Sequence, residues 1–315
     1  MRAVQFAEYG GVEMLTMVEI PDPTPAPGEI LIEVHACGVN RVDILSREGD
    51  TPTPVPLPHI SGTEVAGVVI GIGAPNSSWA FGDRGLVNPT QSCGRCSPCR
   101  EGRDNMCRES RIYGVQTRGG YAEYAVARED QVLAIPGSLS CESAAAIAVT
   151  APTAWHMLVE RAGMRVGEDV LIIAAGSGIS VVGIQIAKYA GARVIATAGS
   201  PEKLDKAKAL GADVVVNHSD PDWPTAVRAA TGGRGVDIVF EHVGAATWEG
   251  SLRSLARGGR LVTCGGHSGF DVSINLWNLF VKEQSLIGSF AGTRRDLERV
   301  LALASVSYTH LRAHE

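Results

Sequence analysis

Two rhythms divide the chain. Up to about residue 150, short apolar runs such as ILIEVH (30–35) and VAGVVI (65–70) stand between clusters rich in Pro and Gly, among them PDPTPAPGE (21–29) and TPTPVPLPH (51–59). Runs of that length and punctuation predict strands joined by turns. Beyond residue 150, strand-like runs alternate with helix-like ones. VLIIAA (170–175) precedes a helical stretch over 179–190, and ARVIATA (192–198) precedes PEKLDKAKAL (201–210). DVVVN (213–217), VDIVFEHV (236–243) and RLVTCGG (260–266) follow. This alternation predicts a parallel sheet covered by helices on both faces. The fold class is α/β, with a β-rich first half and a doubly wound second half. No internal repeat is visible.

Composition narrows the picture only a little. The 315 residues, 45% hydrophobic and 20% charged, fit an ordinary globular chain of about two domains. A net charge of −6 argues against a general binder of polyanions, so no nucleic-acid partner is expected. No apolar run approaches the ~18 residues that span a bilayer, and the N-terminus MRAVQFAEYGG lacks a signal core. The expected location is cytoplasmic, with no membrane partner.

Seven cysteines are present, and four fall within Cys93-Gly-Arg-Cys96-Ser-Pro-Cys99-Arg-Glu-Gly-Arg-Asp-Asn-Met-Cys107. Without a secretion signal, such crowding favours metal over disulfides. Three thiolates two residues apart wrap an ion within one loop, and the fourth closes the sphere. Four sulfurs leave no open position, which points to a structural zinc rather than a catalytic one. An iron–sulfur cluster and disulfides fit less well. Arg95, Arg100, Arg103 and Arg108 are expected to favour the thiolates. Cys37, Cys141 and Cys264 read as small core residues.

VLIIAAGSGISVVGIQIAK (170–188) reads strand, glycine turn, helix. Its Gly176-Ser177-Gly178-Ile179-Ser180 is a degenerate dinucleotide fingerprint, with Ser180 in place of the third glycine. Small side chains still let a pyrophosphate approach a helix N-terminus. A site for NAD carries an acid at the end of the next strand, some 20 residues on, for the ribose 2′-hydroxyl. Here that strand ends Ala198-Gly199-Ser200 and Lys203 follows. Ser200 and Lys203 suit a 2′-phosphate, so NADPH is expected over NADH. His218, Val243, Gly265 and Gly266 are further cofactor candidates, because they follow strand ends where ligands of such sheets sit.

The ordered set of β-rich half, four-cysteine lobe and nucleotide-binding half resembles the medium-chain dehydrogenase/reductase superfamily, which includes zinc alcohol dehydrogenases and quinone oxidoreductases. Gly62-Thr63-Glu64-Val65-Ala66-Gly67 and Pro152-Thr153-Ala154-Trp155 carry the resemblance beside the cysteines. It implies a GroES-like catalytic domain over 1–151, continued by 291–305, and a Rossmann domain over 152–290. It also implies a homodimer or a dimer of dimers. Where a zinc alcohol dehydrogenase places its catalytic ligands, this chain has Asn40, Thr63 and Val149, and Val42 falls at the position of the proton-relaying hydroxyl. Asn, Thr and Val do not make a three-ligand zinc site. His35, Cys37 and His59 are a weak alternative metal set. Gly38-Val39-Asn40-Arg41-Val42-Asp43 instead resembles the Gly-x-Asn-x-x-Asp of zinc-free quinone oxidoreductases.

The resemblance therefore implies hydride transfer from NADPH to a quinone or α,β-unsaturated carbonyl without a catalytic metal. Asn40 is the expected donor to the substrate oxygen, Asp43 the residue that orients the loop, and Thr63 and Thr153 lining of the nicotinamide pocket. The rivals are a zinc-dependent alcohol or aldehyde dehydrogenase, and a non-catalytic protein that binds or senses NADPH. VSYTHLRAHE (306–315) fits neither rhythm and resembles a translated sequencing adapter, so it is expected to be non-native. Family members continue for a few dozen residues, which implies a truncated chain, less soluble than a completed homologue.

Overall fold

The apolar positions sort into two sheets that share no strand. The computed structural model describes residues 1–51 and 53–306; the expected non-native tail lies outside them except for Val306.

The first unit holds residues 1–149 and 292–306. Its strands and helices are β1 (Arg2–Gln5), β2 (Thr16–Glu19), β3 (Glu29–Gly38), α1 (Arg41–Glu48), β4 (Glu64–Ile72), β5 (Arg84–Val87), β6 (Thr90–Gln91), α2 (Ser97–Arg100), β7 (Arg111–Ile112), β8 (Tyr124–Arg128), β9 (Val132–Ala134) and α3 (Cys141–Ile147). Five strands form an antiparallel sheet in the order β8-β3-β4-β5-β9. Alternation in β3 and β4 sends Ile30, Ile32, Val65 and Val69 into one core with Val87, Ala125 and Val132. The register pairs Gly38 with Glu64 after two irregularities in β3, so the ends of these strands, Gly38 and Glu64, meet at one point. α1 follows β3 after Val39 and Asn40. It stops at Gly49, whose φ of 83° supplies the left-handed cap.

The second unit holds residues 150–291. It contains α4 (Thr150–Trp155), β10 (Asp169–Ile172), α5 (Gly178–Tyr189), β11 (Arg193–Ala198), α6 (Pro201–Ala209), β12 (Val214–Asn217), α7 (Trp223–Ala230), β13 (Val236–Glu241), α8 (Ala245–Ser254), β14 (Leu255–Thr263), α9 (Leu276–Val281) and β15 (Ser285–Gly288). All six strands run parallel, in the order β12-β11-β10-β13-β14-β15. The order reverses between β10 and β13, the switch point beside which ligands of such sheets bind. Leu171, Ile195, Val239 and Leu261 pack with Trp223 and Trp248 in one cluster, and the alternate positions Ile172, Val194, Phe240 and Val262 are buried as well, which is why these strands read as continuous apolar runs. The structure divides the chain at 149/150 and 291/292, where the sequence placed the boundaries at 151/152 and 290/291.

The chain then returns to the first unit through α10 (Arg294–Ser305). Thr293 and Asp296 form its capping box. The Arg294 N–H donates to the Asp104 carboxylate at 3.0 Å, which ties α10 to the cysteine loop. Among the described residues no helix is long and apolar enough to cross a membrane.

Candidate active site

The first unit brings Asn40, Asp43 and Thr63 together. Asn40 caps α1, and Asp43, three residues on, reaches back so that its Oδ2 accepts the Asn40 N–H at 2.8 Å. Asp43 Oδ1 accepts the Gly62 N–H at 3.1 Å. One buried carboxylate thus joins the loop of Asn40 to the loop of Thr63. The Tyr121 hydroxyl also serves Asp43 and donates to the Gly38 carbonyl at 3.3 Å. Burial raises the Asp43 carboxyl above its ordinary value against these donors. Asn40 Nδ2 lies 3.4 Å from Thr63 Oγ1.

Glu64 stands behind this pair and was not singled out from the sequence. It is 3% exposed, and its Oε1 accepts the Val149 N–H at 2.9 Å. The Asn40 amide favours the ionised form of the same carboxylate, against burial. Burial raises Glu64 to about 7, with repulsion from Asp43 adding to it. Positions 40, 63 and 149 therefore do converge, around a carboxyl group. The available signal was an acid opening an otherwise apolar strand, Glu64-Val65-Ala66-Gly67-Val68-Val69.

The alternative metal set does not assemble. His59 is 1% exposed, with Nε2 bonded to the Gly114 carbonyl at 2.9 Å and the Pro56 carbonyl serving the ring as well. His35 is exposed beside Glu33, and the Cys37 thiol turns to the Gly38 carbonyl. Burial pushes the Cys37 thiol up, away from the thiolate form that binds metals.

Among the described residues, the one group able to hold a metal is Cys93, Cys96, Cys99 and Cys107, whose sulfurs all lie within 4.8 Å of one another. Sulfurs on a tetrahedral zinc stand about 3.8 Å apart, from Zn–S bonds of about 2.3 Å. Cys93 to Cys99 is 3.9 Å and Cys96 to Cys99 is 3.4 Å, so the donor set fits that ion. Of the arginines, Arg95 meets the Cys93 sulfur, as a smaller partner than Glu109. The Cys93 thiol is lowered to about 6 chiefly by the backbone N–H groups of Arg95 and Cys96. The Arg95 guanidinium is paired with Glu109 and that of Arg103 with Glu101. A tight loop aims amides at the sulfurs, while long guanidinium side chains find carboxylates at the surface.

The second unit carries the nucleotide candidates. Gly176, Ser177, Gly178 and Ile179 form the exposed or half-buried turn from β10 into α5. The first amides of α5 have no acceptors within the helix, which suits a pyrophosphate. Ser180 differs from expectation: it is fully buried, its Oγ donates to the Ile173 carbonyl at 2.8 Å, and His242 Nε2 lies 2.8 Å away. Its hydroxyl locks the turn from inside and is closed to a ligand. The stem of Lys203 crosses the turn, so a Cβ on Gly176 would fall 2.8 Å from Lys203 Cδ. His218 Nε2 comes within 3.2 Å of a Cβ built on Gly199, beside Ser200, and its Nδ1 is 3.0 Å from Thr197 Oγ1. Burial, then the Lys203 charge, lowers the His218 value.

Val243 spends its backbone internally: its N–H goes to Glu241 Oε1 at 2.7 Å and its carbonyl accepts from Ser268. Glu241 is the last residue of β13. It is fully buried and accepts the N–H groups of His242, Val243 and Gly244 together with the Thr247 and Ser251 hydroxyls. That network fixes the turn from β13 into α8. Gly266 packs against Gly244 and Phe270 with no room for a side chain, and Gly265 lies over the His242 carbonyl. Thr153 sits half-buried on α4.

Both units match known proteins. Residues 26–137 match the alcohol dehydrogenase GroES-like domain, and residues 178–305 match the zinc-binding dehydrogenase family. An alcohol dehydrogenase of Geobacillus stearothermophilus is 35% identical over 92% of this chain and 86% of its own length. Human quinone oxidoreductase is 32% identical over 96% of this chain and 84% of its own. Among solved structures, an NAD-dependent alcohol dehydrogenase superposes with a TM-score of 0.93 at 44% identity, covering 97% of this chain and 89% of the other. GroES-like and Rossmann units and relatives of both names establish that the chain is an oxidoreductase of the medium-chain dehydrogenase/reductase superfamily.

Proposed function

We propose that the protein transfers a hydride from NADPH to a quinone or an α,β-unsaturated carbonyl without a catalytic metal. The observation that carries this reading is the donor set at positions 40, 63 and 149. They gather around Glu64 but offer an amide, a hydroxyl and an apolar side chain. That set does not fit a catalytic zinc, which takes thiolate, imidazole or carboxylate ligands and keeps one position open. The four cysteines fit a structural zinc, closed to substrate.

The bound nicotinamide supplies the hydride. Asn40 donates a hydrogen bond to the carbonyl oxygen, on which charge develops as the β-carbon accepts it. A preorganised donor is worth about 3–4 kcal/mol in such a role, and a conjugated carbonyl is already electrophilic. Asp43 holds the Asn40 backbone and the Gly62 loop in register. Thr63 supports the amide from the buried side, and Thr153 is assigned to the nicotinamide.

For the cofactor, Lys203 over the glycine turn and His218 beside Gly199 support a 2′-phosphate. Ala174 N–H donates to Thr197 Oγ1 at 3.3 Å, which leaves the Thr197 hydrogen for His218 Nδ1 and puts the imidazole N–H on Nε2, the nitrogen near Gly199. The NAD-dependent neighbour is the main contrary indication. Rates of NADPH and NADH oxidation against a panel of quinones, enones and aldehydes, with zinc measured on the same sample, test the whole reading. Turnover of alcohols alone, with about two zinc ions per chain, would favour the zinc-dependent alternative.

The expected partner beyond the small-molecule substrate is a second copy of the chain. β15 is the open edge of the parallel sheet, and Leu276, Trp277, Phe280 and Phe290 nearby in the sequence are all more than half exposed. A cytoplasmic setting completes the reading. Light scattering that gives a monomer would contradict the dimer.

A further inference from the structure

The Asn40 amide is backed by two buried side chains whose hydrogen-bond accounts do not close. Thr63 is 0% exposed, and its Oγ1 faces Asn40 Nδ2 at 3.4 Å. Among the described residues no acceptor stands on the hydroxyl's own hydrogen. A buried donor left without a partner costs about 1–3 kcal/mol. Glu64 is also buried. Val149 N–H occupies its Oε1, and its Oε2 lies where a side chain on Gly38 would stand. The titratable groups that face it are Asp43 from α1, Cys37 from β3 and Tyr121 from the loop before β8. None of them is a cation, so nothing compensates an ionised Glu64, and burial raises it to about 7.

The two ends of an amide have nearly the same shape, so a half-turn exchanges Oδ1 and Nδ2 in place. With Nδ2 inward, Asn40 donates to Thr63, as the present geometry has it, and turns the positive edge of its amide to Glu64, which favours the ionised carboxylate. With Oδ1 inward, Asn40 accepts from the Thr63 hydroxyl and from protonated Glu64. Both buried donors are then satisfied, both hydrogens of Nδ2 face outward, and the half of the α1 capping box that the Asn40 side chain makes with the Asp43 N–H is given up.

We propose that Glu64 is a positioning residue, and that its proton decides which edge of the Asn40 amide meets the substrate. Protonated Glu64 holds Oδ1 inward and presents Nδ2 to the carbonyl oxygen. Ionised Glu64 draws Nδ2 inward and presents Oδ1, which repels the oxygen as charge develops on it. The inference rests on the reading that Asn40 serves the substrate oxygen.

The test compares the zinc-loaded wild-type chain with Glu64→Gln, whose side chain keeps an acceptor for Val149 and carries a permanent N–H donor for Asn40 Oδ1. The readout is kcat for NADPH oxidation by a benzoquinone across neutral and alkaline pH. Wild-type kcat is expected to fall about tenfold per unit above about pH 7, while Glu64→Gln stays flat and overtakes it about tenfold one unit higher. Parallel profiles would overturn the proposal. So would a uniform loss of activity in a Glu64→Gln protein that melts like wild type. A second measurement needs no turnover: the 15N shift of the Asn40 side-chain amide, followed over the same range. A step near pH 7 that is absent from Glu64→Gln is expected, and no step in wild type would overturn the proposal. A step without reduction of any quinone or enone would support the amide switch and sink the metal-free reductase reading instead.

Discussion

Glu64 Oε2 occupies the space that a side chain on Gly38 would need. The register of β3 against β4 makes these residues partners, and burial leaves the carboxylate nowhere else to go. Gly38→Ala should therefore displace Glu64 and cost about 1–3 kcal/mol, the usual penalty for overpacking. Thermal melts give the cost, and kcat should fall with it because Asn40 loses its anchor. An unchanged melt and unchanged kcat would show that the carboxylate has other room.

Stability should also respond to Glu64 through pH. Its folded-state value is raised from 4.5 to about 7, so the fold prefers the protonated form. That preference is fully present below about pH 4.5 and is lost as pH rises through about 7. At about 1.4 kcal/mol per unit, the loss is on the order of 3 kcal/mol. Glu64→Gln carries no such titration. Its urea midpoint relative to wild type should rise between mildly acid and alkaline pH, and a constant difference would contradict the assignment.

Ser180 offers a separate test in the second unit. Ser180→Ala leaves His242 Nε2 without the hydroxyl at 2.8 Å and should cost about 1–2 kcal/mol. Because that hydroxyl faces the interior, the ratio of kcat/KM for NADPH and NADH should move by less than about twofold. A large change in preference would mean that Ser180 reaches the cofactor after all.

Lys203→Ala should raise KM for NADPH about tenfold or more and leave NADH nearly unchanged, since a charged contact to phosphate is worth about 1.5–3 kcal/mol. Equal effects on both cofactors would remove the 2′-phosphate from the account.

Each of Cys93→Ser, Cys96→Ser, Cys99→Ser and Cys107→Ser should release the zinc and loosen the loop that Asp104 ties to α10. Metal analysis with limited proteolysis of the 93–107 segment checks this. Retention of the ion by any of the four would mean that fewer sulfurs hold it.

How much the sequence revealed depended on how local each feature is. The four cysteines lie within one loop, so spacing alone conveyed their geometry. The parallel sheet followed from runs buried on both faces. β14 begins at Leu255, five residues before the RLVTCGG run, because Leu255 already pairs with Val236; the register then breaks before Arg260 pairs with Ile238, around Gly258 with its φ of 70°. The contact of Glu64 with Gly38 and Asn40 spans some two dozen residues and depends on irregularities in β3, which no local pattern displays. Ser180 read as a small residue tolerant of a ligand. Only the fold shows its hydroxyl turned inward to Ile173 and His242. Arg95 and Arg103 looked like partners for the thiolates, yet Glu101 takes Arg103, and Arg95 is held chiefly by Glu109 with Cys93 second.

The proposed chemistry requires one ion per chain, held by sulfur, and none at Asn40. Metal analysis of protein that is actively reducing a quinone with NADPH measures this directly. About one zinc per chain, lost together with Cys93→Ser, is the expected result. About two per chain, with activity that disappears as the second is removed, would contradict it.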